Sequence, residues 1–313
     1  VPNIWTHLIF GREVLRTIGR ADLAAGETIN VFHLGCQGPD FLFYHNFLPW
    51  QKDTRLNELG QAIHLRHCGP FLLELVRTVR GRPLQDPAVI YMLGFLTHHV
   101  LDRNMHPYIH YKAGYARWNH QRLEVILDTL FAKKYLTVDT STTPVWRQFY
   151  TGRDLPTDVA RMLQWAAAKF FPELAGGIRE ADWVDAYRDM VRAWQIFHDP
   201  TGIKRILTCG RIDPFVYKRR IAPLDYLNEA KQVWHHPAAL EESRTDSVWE
   251  LWEQALADGA AVLQAVVECL EQACATGESP SEARLAEAIG NLSYDTGKPC
   301  DSGLEPRYAN PLF

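Results

Sequence analysis

Three polar residues spaced by four, His98, Asp102 and His106, interrupt a stretch that otherwise carries Val89, Ile90, Met92, Leu93, Phe95, Leu96 and Val100. Residues four apart on an α-helix advance by about 400°, so the three fall within an arc of about 80°, stacked about 6 Å apart. Polar side chains on a buried helix need partners. A lone His98 would read as a satisfied core histidine. The aligned triplet reads as a metal-binding stripe, because one cation satisfies several donors and the middle carboxylate can touch two cations. Imidazole and carboxylate donors suit zinc. Asp86-Pro87 supplies an N-cap and a first-turn proline, so the helix is expected to open at Ala88. It is expected to close near His106, because Pro107 removes a backbone donor.

Helical periodicity continues along most of the chain. Leu8, Val14, Leu15 and Ile18 follow His7 at three-to-four spacing, and Phe71, Leu72, Leu75, Val76 and Val79 form a second apolar face. His120 to Ala132 reads as a further helix, as do 156–171, 181–197, 223–236, 246–276 and 280–291. Thr137 to Pro144 and Asp295 to Phe313 read as irregular connections. The fold class is therefore all-α. We expect a metal-binding helical core over 1–138, with 139–313 forming further helices packed on it or an accessory region.

Ten of the 13 histidines lie within the first 120 residues, which assigns the chemistry to that part of the chain. His120-x-x-x-Glu124 repeats the one-turn spacing on the next helix. It is weak alone and gains weight from following the triplet so closely. His7 opens the first helix, Asp40 sits in the turn Gly38-Pro39-Asp40, and His64 and His67 lie one turn apart at the start of the second helix. His99 points about 100° from the stripe and reads as structural. His33, His45 and His110 read as supporting or surface groups.

Taken in order, Trp5-Thr6-His7, Asp40, the triplet and His120/Glu124 resemble the zinc-dependent phospholipase C family, whose superfamily includes single-strand-specific nucleases. The resemblance spans roughly residues 1–130. It implies an all-α fold with additional C-terminal helices here, and up to three zinc ions. The ligands it implies are Asp40, a second-helix histidine, His98 and Asp102 for one ion, and His106, His120 and Glu124 for another. His7, Asp102 and the N-terminal amine would serve the third. His67 is preferred as the second-helix histidine because His67-Cys68-Gly69-Pro70-Phe71-Leu72 resembles a stretch of the glycosylphosphatidylinositol-specific relatives; His64 is the alternative. Val1 stands where the family usually has Trp.

The implied reaction is phosphodiester hydrolysis by metal-activated water, with Asp40 orienting or deprotonating that water. The rivals are a nuclease-like phosphodiesterase and a non-catalytic helical protein joined by zinc. A nuclease calls for a basic groove. Residues 1–53 hold four basic side chains (Arg12, Arg16, Arg20, Lys52) against five acidic ones, so no strong nucleic-acid signal lies beside the site. The expected partner is a small phosphodiester or a phospholipid. A later basic cluster (Lys204, Arg205, Arg211, Lys218, Arg219, Arg220) reads as a solvated face. The six cysteines form no C-x-x-C pair and read as reduced thiols. No apolar run approaches the roughly 18–20 residues that cross a bilayer, and the first residues lack the pattern of a signal peptide. A cytoplasmic location is the expectation. The sequence carries no signal for an oligomeric state.

Overall fold

The computed structural model describes residues 3–48, 50–276 and 282–313. Among these are twelve α-helices, joined by connections of very different length, and the regular β-structure is one two-stranded sheet within the longest of them, residues 208–247. The helices of the first half are α1 (Ile4–Thr17), α2 (Ile29–Gly35), α3 (Arg55–Leu65), α4 (Cys68–Val79), α5 (Pro87–Ala113) and α6 (Asn119–Leu136). Those of the second are α7 (Thr157–Phe170), α8 (Pro172–Ala175), α9 (Glu180–Phe197), α10 (Ile203–Leu207), α11 (Val248–Thr276) and α12 (Glu282–Ile289). The fold is all-α, and buried residues on both sides of residue 138 join one hydrophobic cluster.

α5 is the axis of the molecule. The Asp86 carboxylate accepts from Ala88 N at 2.8 Å and Pro87 takes the first turn, as the sequence signals require. The helix is buried nearly all round, packed by α1, α2, α6 and α11. α2 crosses it at backbone contact: a Cβ on Gly35 would meet Tyr91 O at 2.1 Å, and one on Gly94 would meet Phe32 O at 2.4 Å. No side chain larger than hydrogen fits there without moving the backbone.

α5 does not end near His106 but runs through Pro107 to Ala113. An internal proline costs about 3 kcal/mol. Tyr108 and Ile109, both fully buried, contribute roughly 1.5–3 kcal/mol each by leaving water, and Tyr108 OH donates to Tyr226 O at 2.9 Å. Burial offsets that cost.

Residues 223–236 also depart from expectation. They form turns leading into a hairpin of β1 (Trp234–His236) and β2 (Ala239–Arg244), antiparallel, with Trp234 opposite Arg244. Polar side chains capture the backbone here: the Asp225 carboxylate accepts from Glu229 N and Ala230 N, and Asn228 Nδ2 donates to the carbonyls of Gln232, Thr245 and Asp246. Asn228 and Lys231 adopt left-handed φ values of 53° and 54°, which a helix excludes.

The other expected helices form within a few residues of their expected bounds, except that the expected start of the last, at residue 280, lies outside the described residues. Thr137 to Pro144 is irregular, as read, and so is the tail beyond Asp295 apart from a 3₁₀ turn at Cys300–Ser302 and a single bridge between Leu292 and Pro299. No described helix is long and apolar enough to cross a membrane.

Candidate metal centre

His98, Asp102 and His106 lie buried along one face of α5. The Asp102 carboxylate sits among three imidazoles, with Oδ2 3.0 Å from His98 Nε2, and Oδ1 3.3 Å from His7 Nε2 and 3.7 Å from His106 Nε2. The His7 and His98 rings stack at 4.2 Å.

His7 reaches Asp102 because α6 holds the start of α1. The buried Asp128 carboxylate accepts from Trp5 N (2.9 Å), Thr6 N (2.8 Å) and Thr6 Oγ1 (2.6 Å), and from Tyr217 OH at 2.6 Å. Two donors that α1 leaves unsatisfied at its first turn are thereby paired. Asp128 lies one turn beyond Glu124, so one face of α6 orients His7 and also carries His120 and Glu124.

Asp40 opens a 3₁₀ turn after Gly38, whose φ is 51°. A Cβ on Gly38 would stand 2.2 Å from His98 Cδ2, so only glycine lets the turn run against that ring. Asp40 Oδ1 lies 3.1 Å from His64 Nε2 and 3.7 Å from His98 Nε2. On α6, His120 Nε2 lies 2.6 Å from Glu124 Oε1, which is 4.0 Å from His106 Nε2.

The outer ring nitrogens fix the tautomers. Nδ1 of His64, His98 and His106 meets the carbonyl oxygens of Gly60 (2.7 Å), Cys36 (3.0 Å) and Tyr294 (3.1 Å). A carbonyl only accepts, so each Nδ1 carries the proton and a neutral ring points its Nε2 lone pair inward, toward carboxylate oxygens. Acceptor then faces acceptor. Burial opposes the escape of protonating the rings: it holds His7 and His106 down at about 4 and keeps His120 well below its ordinary value. His64 is the exception, because the Asp40 carboxylate outweighs burial and raises it. Asp102 is held well below the usual carboxylate range despite burial, chiefly by His106, His98 and His7. Nε2 of His7, His64, His98 and His106, both Asp102 oxygens and Asp40 Oδ1 are buried without a hydrogen-bond partner. Leaving so many polar atoms unsatisfied costs on the order of 1–3 kcal/mol each. A cation between lone pairs and carboxylates removes that cost.

The donor atoms gather into sets that lie within 4.8 Å: His7/His98/Asp102, Asp40/His64/His98, His106/His120/Glu124 and His106/His110/Asp295. The first three contain the sequence-expected candidates with one exchange. His67 stands exposed in a left-handed turn (φ 54°) between α3 and α4, its ring near Phe170 and Phe171, and does not approach the cluster. His64, on the last turn of α3, takes the place beside Asp40. The two histidines do not share one helix start, because the chain breaks between them. Val1 lies outside the described residues. His99 is structural, its Nε2 at 2.8 Å from Leu292 O. His33 Nδ1 meets Gln148 O at 3.0 Å, away from the cluster.

The fourth set holds the residues that sequence reasoning missed. Asp295, in the tail read as a connection, has Oδ1 3.5 Å from His106 Nδ1 and 3.7 Å from His110 Nε2. Tyr294 N donates to His64 O at 3.0 Å while Tyr294 O receives His106 Nδ1, so one tail residue joins both ends of the cluster. Nothing near Asp295 in the sequence marks it. His110 did leave a signal, since it continues the four-residue spacing.

Among protein-family models, one described as zinc dependent phospholipase C matches residues 6–169. That span includes every described donor of the first three sets and stops well short of Asp295. No curated protein and no solved structure matches the chain.

Proposed function

Because the chain belongs to the zinc-dependent phospholipase C family, we propose that it is a zinc-dependent phosphodiester hydrolase acting on a phospholipid or a small phosphodiester. The observation that carries the proposal is the buried convergence around Asp102, where Nε2 of His7, His98 and His106 and both carboxylate oxygens lack a hydrogen-bond partner. The residues proposed to hold zinc are Asp40, His64, His98 and Asp102; His7 with Asp102; and His106, His120 and Glu124. Zinc bound there supplies a Lewis acid for phosphoryl oxygens and lowers the pKa of bound water to about 7.

The protein's own part follows from its geometry. Asp102, buried and ionised, sets the negative charge at the centre. The carbonyls of Gly60, Cys36 and Tyr294 hold three rings with Nε2 inward. Asp40 lies at the edge of the cluster, its side chain 17% exposed where Asp102 is fully buried. His64 and His98 keep its carboxyl below the ordinary value against burial. An ionised carboxylate between the buried donors and solvent is placed to orient an attacking water and accept its proton, which is the role proposed for Asp40.

Metal analysis of the purified protein, paired with hydrolysis of a chromogenic phosphodiester and of phosphatidylcholine, tests the proposal. Bound zinc with chelator-sensitive turnover supports it. Bound zinc with no turnover on lipid, nucleotide or generic diesters would instead make the metal a structural joint.

A further inference from the structure

The metal donors make no use of the basic segment 203–220. It holds six basic side chains (Lys204, Arg205, Arg211, Lys218, Arg219, Arg220) against one acidic, Asp213, in a chain whose formal net charge is -4. Within it, α10 presents Ile203, Ile206 and Leu207 to solvent, 57%, 77% and 77% exposed. Single exposed aliphatic residues are ordinary. Three within five residues, bordered by exposed Arg211, Lys218, Arg219 and Arg220, are not.

The tip is anchored at its base by hydrogen bonds. The Asp199 carboxylate accepts from Lys204 N at 3.2 Å and Arg205 N at 3.0 Å, and Lys204 Nζ donates to Gln195 O and His198 O at the end of α9. Beside α10 lies a cavity of about 320 Å³ whose lining includes Asp199 as well as Arg205, Lys218, Arg219 and Arg220. Asp199 is met by Arg205 at 3.6 Å and Lys218 by Asp213 at 2.7 Å, which leaves Arg219 and Arg220 to face a phosphate headgroup. The segment also touches α6 and the turn before it, which carry or position metal donors. Phe215 packs edge-on against Trp118, two residues before His120, and Tyr217 OH donates to Asp128.

We propose that α10 and its cationic border dock the protein on an anionic phospholipid surface, with Ile203, Ile206 and Leu207 entering the interface and Arg211, Arg219 and Arg220 meeting headgroup phosphates. An aliphatic tip inside a ring of cations matches a bilayer, which is apolar within and negative at its surface. A polynucleotide would instead ask for stacking aromatics, and a second copy of the chain would set cation against cation. The inference deepens the hydrolase reading, on which it rests for the purpose of docking, but membrane binding is measurable without turnover.

The test is co-sedimentation with phosphatidylcholine vesicles made with and without phosphatidylserine. The wild type should bind the phosphatidylserine vesicles more tightly and lose binding as salt rises. Ile206→Asp combined with Leu207→Asp should weaken binding at least about tenfold, and Arg219→Ser with Arg220→Ser roughly tenfold. Zinc content and hydrolysis of a soluble short-chain phosphodiester should stay unchanged in both variants. Absence of wild-type binding, or equal binding by the variants, overturns the proposal. So does a wild-type dimer in size-exclusion chromatography that Ile206→Asp with Leu207→Asp dissociates, since the face would then belong to a second copy. Vesicle binding without hydrolysis keeps the docking surface and sinks the hydrolase; hydrolysis without vesicle binding does the reverse.

Discussion

At the N-terminal end of the α5 stripe, His98 meets Asp40 and His64, and the carbonyls that fix these two rings belong to Cys36 and Gly60. At the C-terminal end, His106 meets His120 and Glu124, but its ring is fixed by Tyr294 and flanked by Asp295, nearly two hundred residues away in sequence. The first end is closed by residues that precede it in the chain and lie within the family-matched span. The second is completed by a tail outside the family-matched span. One polar stripe therefore carries two kinds of construction: the tail brings a carboxylate only to the His106 end, while at the other end Tyr294 N donates to the His64 carbonyl and its ring packs against the His64 ring.

Asp102 is common to both ends. Asp102→Asn should remove most of the bound metal and lower turnover by more than about 100-fold, read by elemental analysis and diester hydrolysis. Full metal content in the variant would break the idea of a shared centre. Asp128→Ala leaves Trp5 N, Thr6 N and two hydroxyls without their acceptor, and should cost about 2–4 kcal/mol in urea unfolding. His64→Ala should remove metal from the Asp40 end, whereas His67→Ala should leave metal content as in the wild type; the opposite pattern would restore His67 as the ligand. Asp295→Asn should weaken metal at the His106 end alone, roughly tenfold, measured by competition with a chelating dye. Equal weakening at both ends would show that the tail acts on the centre as a whole.

The sequence disclosed more of the first end than of the second. The stripe was legible because helical spacing is a local property, and His120 and Glu124 repeat it. Asp40 and His7 came from order along the chain rather than from periodicity. The choice between His64 and His67 turned on a helix that sequence reading overlooked, although Leu56, Leu59 and Ile63 mark its apolar face. His110 is within reach at the same four-residue interval, but Pro107 predicts a helix end before it. Local proline chemistry predicts an end there, and the structure departs from it because burial of Tyr108 and Ile109 outweighs the cost of the proline. Residues 223–236 failed for the converse reason: the pattern suggested a helix, and the side chains of Asp225 and Asn228 took its backbone groups.

The amino-acid sequence by itself determined that this chain is helical and that one buried face carries imidazole, carboxylate and imidazole in register, because both follow from the 3.6-residue repeat. Only the tertiary structure decided which histidine stands beside Asp40, which carbonyls lock the rings, and that Asp295 joins His106 and His110. Those contacts join residues far apart in the chain, and a backbone carbonyl has no identity in a sequence until folding brings it against a ring.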